Sequence, residues 1–133
     1  MIVKVRNYLS GGYIMQIVGN TPNYGNYFLD AMENGGASSP GTEQFALNLA
    51  ANTSPTVGAS AVQVPSEEFA FGIVEPGYDT PNIFKYNSGD VVARSLSETG
   101  RTDYTISMIV NVASSTPSGR YSGDFAVVII PAF

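Results

Sequence analysis

The sequence predicts an all-β fold: an antiparallel β-sandwich of about seven or eight strands, with at most one short helix. Two observations carry this expectation. The dominant spacing of apolar residues is two, since Tyr104, Ile106, Met108, Val110 and Val112 alternate with Asp103, Thr105, Ser107 and Asn111, as on a strand with one buried face. Five of the eight prolines (Pro22, Pro40, Pro55, Pro81 and Pro117) follow Ser or Thr. Proline cannot donate to a ladder, so each marks a turn or a strand end. Short strands parted by turns at such spacing belong to a sandwich or barrel rather than an α/β fold.

The elements follow in chain order. "IVKVRNYL" and "YIMQIVG" flank Ser10-Gly11-Gly12, which predicts a hairpin whose glycines supply the positive φ of a tight turn. "YFLDAMENGG", Tyr27 to Gly36, is the one stretch able to form a helical turn or two, ended by its paired glycines. "FALNLAA" sets Phe45, Leu47 and Leu49 against Gln44, Asn48 and Ala50, a half-buried strand. "EEFAFGIV" puts Phe69 and Phe71 on one face. "IFKYNSGDVVARS" holds Phe84 and Tyr86 and then, after a Ser-Gly-Asp break, either Val91 with Ala93 or Val92 with Arg94. Near the C-terminus Pro117 and Gly119 make a turn, and Tyr121 opens the last strand. That tyrosine either sends its hydroxyl back to the main chain, as in the tyrosine corner of Greek-key sandwiches, or is a plain half-buried strand residue.

With 133 residues, the chain suits one domain, 1–133, able to bury a core without metal or disulfide. Charged residues make up 13%, against about 25% in a typical soluble domain. Ser, Thr, Asn and Gly fill the gap, a composition frequent in extracellular β-proteins. The net charge is −5 and the six basic residues are scattered, which argues against nucleic acid and anionic membrane surfaces as partners. No run approaches the roughly 18 apolar residues of a membrane span. A secreted chain without cysteine fits a bacterial surface protein better than a small disulfide-rich domain. The sequon Asn52-Thr53-Ser54 is followed by Pro55, which disfavours glycosylation.

The series "YLSGGYIMQIVG", "GTEQFALNLAANTSP", "YDTPNIFKYNSGDVVARS", "DYTISMIVNVASSTPSGRY" and "IIPAF" resembles a group of uncharacterised secreted surface proteins of small-genome, candidate-phylum bacteria. The resemblance covers most of the chain and lies in the order of the motifs. It implies an immunoglobulin-like sandwich displayed outside the cell or on its envelope, and it carries over no catalytic residue. Members of that group bear a signal peptide and a further strand-rich segment ahead of the "YLSGGY" stretch. Here a strand begins at Ile2, so the resemblance implies first that the chain is a fragment of a longer secreted precursor and, as the alternative, that the N-terminal strand is missing from the fold.

Histidine is absent, which removes Ser-His-Asp triads, Cys-His pairs and His-bearing metal sites. Nothing marks Lys4 or Lys85 as the base of a Ser-Lys pair. Outward-pointing lysines that protect a sheet edge are commoner than the buried lysine an isopeptide would need. The adjacent Glu67 and Glu68 point to opposite faces of a strand and so do not form the carboxylate pair of a glycosidase. Glu75, Asp79, Asn82, Asn87 and Asp90 match no calcium-loop spacing and serve as turn formers. The expectation is therefore a non-enzymatic protein with no cofactor and no metal.

Two features point to partners. Tyr24 and Tyr27, in a loop with Asn20, Asn23 and Asn26, and Tyr78, in a proline-flanked loop, are candidate ligand-binding residues, because tyrosine gives a rigid amphipathic contact surface. Against a glycan site stands the absence of tryptophan, and the alternative role for these rings is to cap the ends of the sandwich. The second feature is "DFAVVIIPAF". Phe125, Val127 and Ile129 form one face of a strand and Ala126, Val128 and Ile130 the other, apolar on both sides. Both faces then need cover. Either this is a central strand under the loops around Asn20–Ser39 or Thr53–Glu68, or Phe125, Val127, Val128, Ile129 and Ile130 form an assembly surface. The functional expectations are a cell-surface or extracellular structural or adhesion module first. A self-assembling filament or shell subunit built by strand exchange, and a carbohydrate-binding module, are the alternatives. The partner is thus a protein or glycan surface, or a second copy.

Overall fold

The structure is a computed structural model, and it describes residues 1–8, 10–65 and 72–132. Among the described residues the chain is all-β, without a helix. In order the strands are β1 (Ile2–Asn7), β2 (Tyr13–Val18), β3 (Asn23–Tyr24), β4 (Tyr27–Phe28), β5 (Gln44–Asn48), β6 (Asn52–Thr53), β7 (Thr56–Val57), β8 (Val62–Val64), β9 (Ile73–Val74), β10 (Val91–Ser95), β11 (Thr99–Thr105), β12 (Ser107–Asn111) and β13 (Ala126–Pro131). One sheet runs β1-β11-β8 and another β13-β2-β10-β9, while β12 pairs with β5, β3 with β4 and β6 with β7. Every strand pair is antiparallel. All five Ser/Thr-preceded prolines lie outside strands, as the missing N–H requires.

One hydrophobic cluster joins the sheets. It takes Val5 from β1 and Tyr104 from β11, and Tyr13, Met15 and Ile17 from β2. Phe45 and Leu47 from β5 and Val92 and Ala93 from β10 complete its centre. The hydroxyls of Tyr13 and Tyr104 meet at 2.7 Å, so the two larger sheets touch through a buried polar pair.

Several local expectations change once partners are known. β1 and β2 form no hairpin: they lie in different sheets, and Ser10–Gly12 carries the chain from one to the other. Gly12, with φ of 139°, is needed there for close approach, since a Cβ would sit 2.3 Å from the carbonyl oxygen of Ser95. Tyr27 to Gly36 is not helical. The main chain there turns sideways to β5, with Phe45 N–H donating to Asp30 at 2.8 Å and Met32 N–H to Phe45 at 3.0 Å, so i→i−4 bonds lose their donors and acceptors. The alternation from Tyr104 holds only to Ile106. Ile106 and Ser107 are both buried, and beyond them Ile109 faces inward while Met108, Val110 and Val112 are exposed. The chain changes partner at that point, from β1 to β5, and a one-residue slip turns every later side chain to the other face.

β5 is buried on both faces rather than one. Its polar members are satisfied: Gln44 accepts from the Ser39 N–H and the Asn111 side chain, each at 2.8 Å, and Asn48 exchanges side-chain hydrogen bonds of 2.7 and 2.9 Å with Asn52 of β6. Asn52 donates further to the carbonyls of Ala50 and Val57, so the amide of the sequon is buried and fully engaged. In β10 a bulge between Val91 and Ala93 buries both Val92 and Ala93, which neither alternating reading of that stretch anticipated. The last strand starts at Ala126, not Tyr121, and stands at the edge of its sheet, which overturns the reading of a central strand covered by loops. Phe125, just before it, stacks on Phe45 with centroids 5.3 Å apart. Glu67, Glu68, Phe69 and Phe71 lie outside the described residues.

Candidate functional site

A set of tyrosines gathers where the β3–β4 hairpin meets the segment leading to β13. The hairpin turns on Gly25 and Asn26, with Gly25 at a φ of 59° that an L side chain rarely adopts. Asn23 steadies the turn by donating from its side chain to the Gly25 carbonyl at 2.8 Å. Tyr24 and Tyr27 are therefore directly opposed across the ladder. Asn23 and Ser122 exchange main-chain bonds of 2.9 and 3.1 Å, which brings Tyr121 to the pair. The Tyr121 ring lies 6.0 Å from Tyr24 and 6.4 Å from Tyr27, tilted to the first and edge-on to the second, within the range of favourable aromatic contacts. The hydroxyl of Tyr121 donates to the carbonyl of Pro117, four residues back, at 2.8 Å. That is the main-chain bond expected of a tyrosine corner, though it is made at the surface and ahead of the strand. The Tyr24 ring rests on Gly119, where a Cβ would come within 2.7–2.8 Å of three ring atoms.

Glu43 ties this end together. It accepts from the Tyr27 hydroxyl at 2.6 Å, from the Thr116 hydroxyl at 2.8 Å and from the Asp30 main-chain N–H at 2.9 Å. The bond from Tyr27, foremost among these, holds the Glu43 carboxyl below its ordinary value. Reciprocally, the hydrogen bond to Glu43 and the negative charge around it push the Tyr27 phenol up to about 12. Partial burial also raises the phenol of Tyr121. The rings are thus fixed in orientation yet open to solvent, with Tyr24 49% and Tyr27 38% exposed.

Phe28, 46% exposed, stands beside the tyrosines at the lip of an open cleft of about 570 Å³. Asn20, Asp30, Glu33, Asn87 and Ser88 line it, with Tyr86 at its floor. The Tyr86 hydroxyl is spent on the carbonyl of Gly19. Phe28 also borders a second hollow of about 260 Å³ that holds Asn23, Ser122 and Asp124. Aromatic faces next to carboxylates and amides are a surface suited to polyhydroxyl ligands: ring faces meet C–H groups, while the polar side chains exchange hydrogen bonds with hydroxyls.

Of the three tyrosines singled out in the sequence, the structure brings Tyr24 and Tyr27 together and sends Tyr78 elsewhere. Tyr78 is 2% exposed, in the core, with its hydroxyl donating to Asp90 at 2.7 Å and its phenol pushed up by burial and by that carboxylate. Tyr121, Phe28 and Glu43 were missed as site members. Nothing local in the sequence marks Glu43, whose role comes from three partners distant along the chain.

The five residues read as an assembly surface divide between two faces. Phe125 and Val127 pack on the core, and Ile129 lies opposite buried Met15. Val128 and Ile130 face outward, opposite Gln16 and Ile14. Among the described residues no three acidic side chains converge as a metal ion would require, and no helix is long and apolar enough to cross a membrane. No protein-family model, curated protein or solved structure matches this chain.

Proposed function

We propose that this chain is a non-enzymatic β-sandwich module of the immunoglobulin-like, Greek-key kind, displayed outside the cell or on its envelope, which attaches to glycan surfaces through its tyrosine-lined end. The observation that carries the attachment is that Tyr24, Tyr27 and Tyr121 are held in place by Gly119, Glu43 and Pro117 while the rings of Tyr24 and Tyr27 stay open to solvent. Surface aromatics with no partner turn and sample; ordering them before contact removes part of the entropy that binding otherwise costs. The sandwich reading is supported by the single core shared by the two larger sheets and by the Tyr13–Tyr104 contact between them. An exterior location is supported by a composition poor in charge and rich in hydroxyl and amide groups.

The test is affinity electrophoresis through gels containing soluble glucan, mannan, galactan or chitin-type polysaccharides. The wild-type protein is expected to be retarded by at least one of them, and Tyr24→Ala and Tyr27→Ala to migrate freely with unchanged melting temperature. Equal mobility of wild type and both variants in every gel would remove the glycan reading.

A further inference from the structure

In the sheet β13-β2-β10-β9 the strand β13 is outermost, and among the described strands it pairs with β2 alone. Just beyond it Ala132 N–H donates to Gly12 at 2.9 Å, and Gly11 N–H donates to Ala132 at 2.7 Å. The register runs on with Ile130 opposite Ile14, Val128 opposite Gln16 and Ala126 opposite Val18. Bonded pairs recur at every second residue of an antiparallel ladder, so Val127, Ile129 and Pro131 turn their main-chain groups to the open side. Pro131 agrees with this assignment, because a residue without an N–H fits a strand only where no ladder bond is asked of it.

Among the described residues, the other edges of the two larger sheets carry protection. β8 and β9 are three and two residues long. β1 has six residues but presents Lys4 and Arg6 to solvent. Short strands and outward charges are the usual means of preventing edge pairing. β13 has six residues, none of them charged, its outward side chains Val128 and Ile130 are apolar, and its edge proline, Pro131, stands only at its last position, leaving Ala126 to Ile130 free to pair.

We propose that β13 is the interface with a second copy of this chain, paired antiparallel about a two-fold axis at Val128, so that two four-stranded sheets become one. In that register Val127 of each copy exchanges main-chain bonds with Ile129 of the other. On the outer face Val128 meets its own counterpart and Ile130 meets Ala126, large against small. A second copy fits better than a foreign strand because the edge offers no charge for a partner to read, while the two-fold matches every position from Ala126 to Ile130 with an apolar one. The chain's net charge of −5 is carried elsewhere, and Asp124, the nearest acid, falls opposite Ala132 rather than another acid.

The chain has no cysteine, so Val128→Cys introduces a single thiol. Across a two-fold at that residue the two Cα atoms stand about 4.5 Å apart, as in non-hydrogen-bonded antiparallel pairs, and a disulfide spans roughly 4.4–6.8 Å. Ile130→Cys serves as the control, since the two copies of residue 130 lie about 13 Å apart along the strands. Expected are a concentration-dependent dimer of the wild type by size-exclusion light scattering, rapid oxidation of V128C to a disulfide-linked dimer, and slow oxidation of I130C. Val128→Lys, whose side chain projects away from the core, is expected to be monomeric with an unchanged circular dichroism spectrum. The proposal is overturned by a wild-type monomer across a hundredfold concentration range, by folded V128C that links no faster than I130C, or by open-ended polymers, which require a head-to-tail contact.

Discussion

The hydroxyl pair between the two larger sheets offers a quantitative test of how they are joined. Tyr13 and Tyr104 are buried to within 2% and 0% of full exclusion from solvent, and their oxygens are 2.7 Å apart. The amide of Gly72 closes over them, donating to Thr102 at 3.1 Å, and a Cβ at Gly72 would overlap both hydroxyls. Tyr104→Phe removes one member and leaves the Tyr13 hydroxyl with Thr102 as its remaining partner, a loss of about 1–3 kcal/mol. Tyr13→Phe is expected to cost about the same. The double variant removes both polar groups at once, so its cost falls below the sum of the two, with a coupling of roughly 1 kcal/mol. At about 4 °C per kcal/mol for a chain of this length, each single variant melts some 4–12 °C lower. Urea unfolding followed by circular dichroism measures all four corners of the cycle. Strict additivity, or single-variant losses below about 0.3 kcal/mol, would refute the inter-sheet bond. Burial also raises both phenols above their ordinary value of 10.0. Their contribution is then full below pH 10 and is lost as pH rises beyond it, so the double variant should lose less stability in alkali than the wild type.

Gly119→Ala should leave the melting temperature nearly unchanged, because displacing the half-exposed Tyr24 ring from its seat on residue 119 uncovers no core. It should nevertheless abolish the Tyr24–Tyr121 proximity seen by nuclear Overhauser contacts and the retardation by polysaccharide. Glu43→Gln replaces the charged acceptor that raises Tyr27 with a neutral one, so tyrosinate absorbance should show that phenol moving from about 12 down toward its ordinary value of 10.0. The Glu43 carboxyl is lowered from 4.5, so its stabilising effect is full above that pH and fades as pH falls below it; E43Q should flatten that part of the acid stability profile. Gly12→Ala meets both a φ of 139° and a carbonyl oxygen 2.3 Å from the new methyl. It should cost at least about 2 kcal/mol, measured by urea unfolding.

What was legible in the sequence is what neighbouring residues decide among themselves. Alternation of apolar and polar side chains specified strands, because a strand's faces repeat every second residue whatever it pairs with. Prolines after Ser and Thr located the turns, because a missing N–H is a property of the residue alone. Pairing is different: it depends on where distant segments arrive. β1 and β2 look like two arms of a hairpin, yet they enter separate sheets because Gly12 lets the main chain pass against Ser95. Ile106 and Ser107 look like one more step of an alternation, yet a change of partner there reverses the faces beyond. The candidate site follows the same division. Tyr24 and Tyr27 were readable because two residues separate them across a tight turn, whereas Tyr121, Phe28 and Glu43 join them only through the fold. Tyr78 carries the same composition cue as Tyr24, and only burial against Asp90 tells them apart. Sequence alone determined that β13 is apolar on both faces. That it stands at an edge, with Pro131 turned to the open side, was decided by the strand order, in which β2 lies between β13 and β10 and no described strand lies beyond β13, a long-range arrangement that no local pattern records.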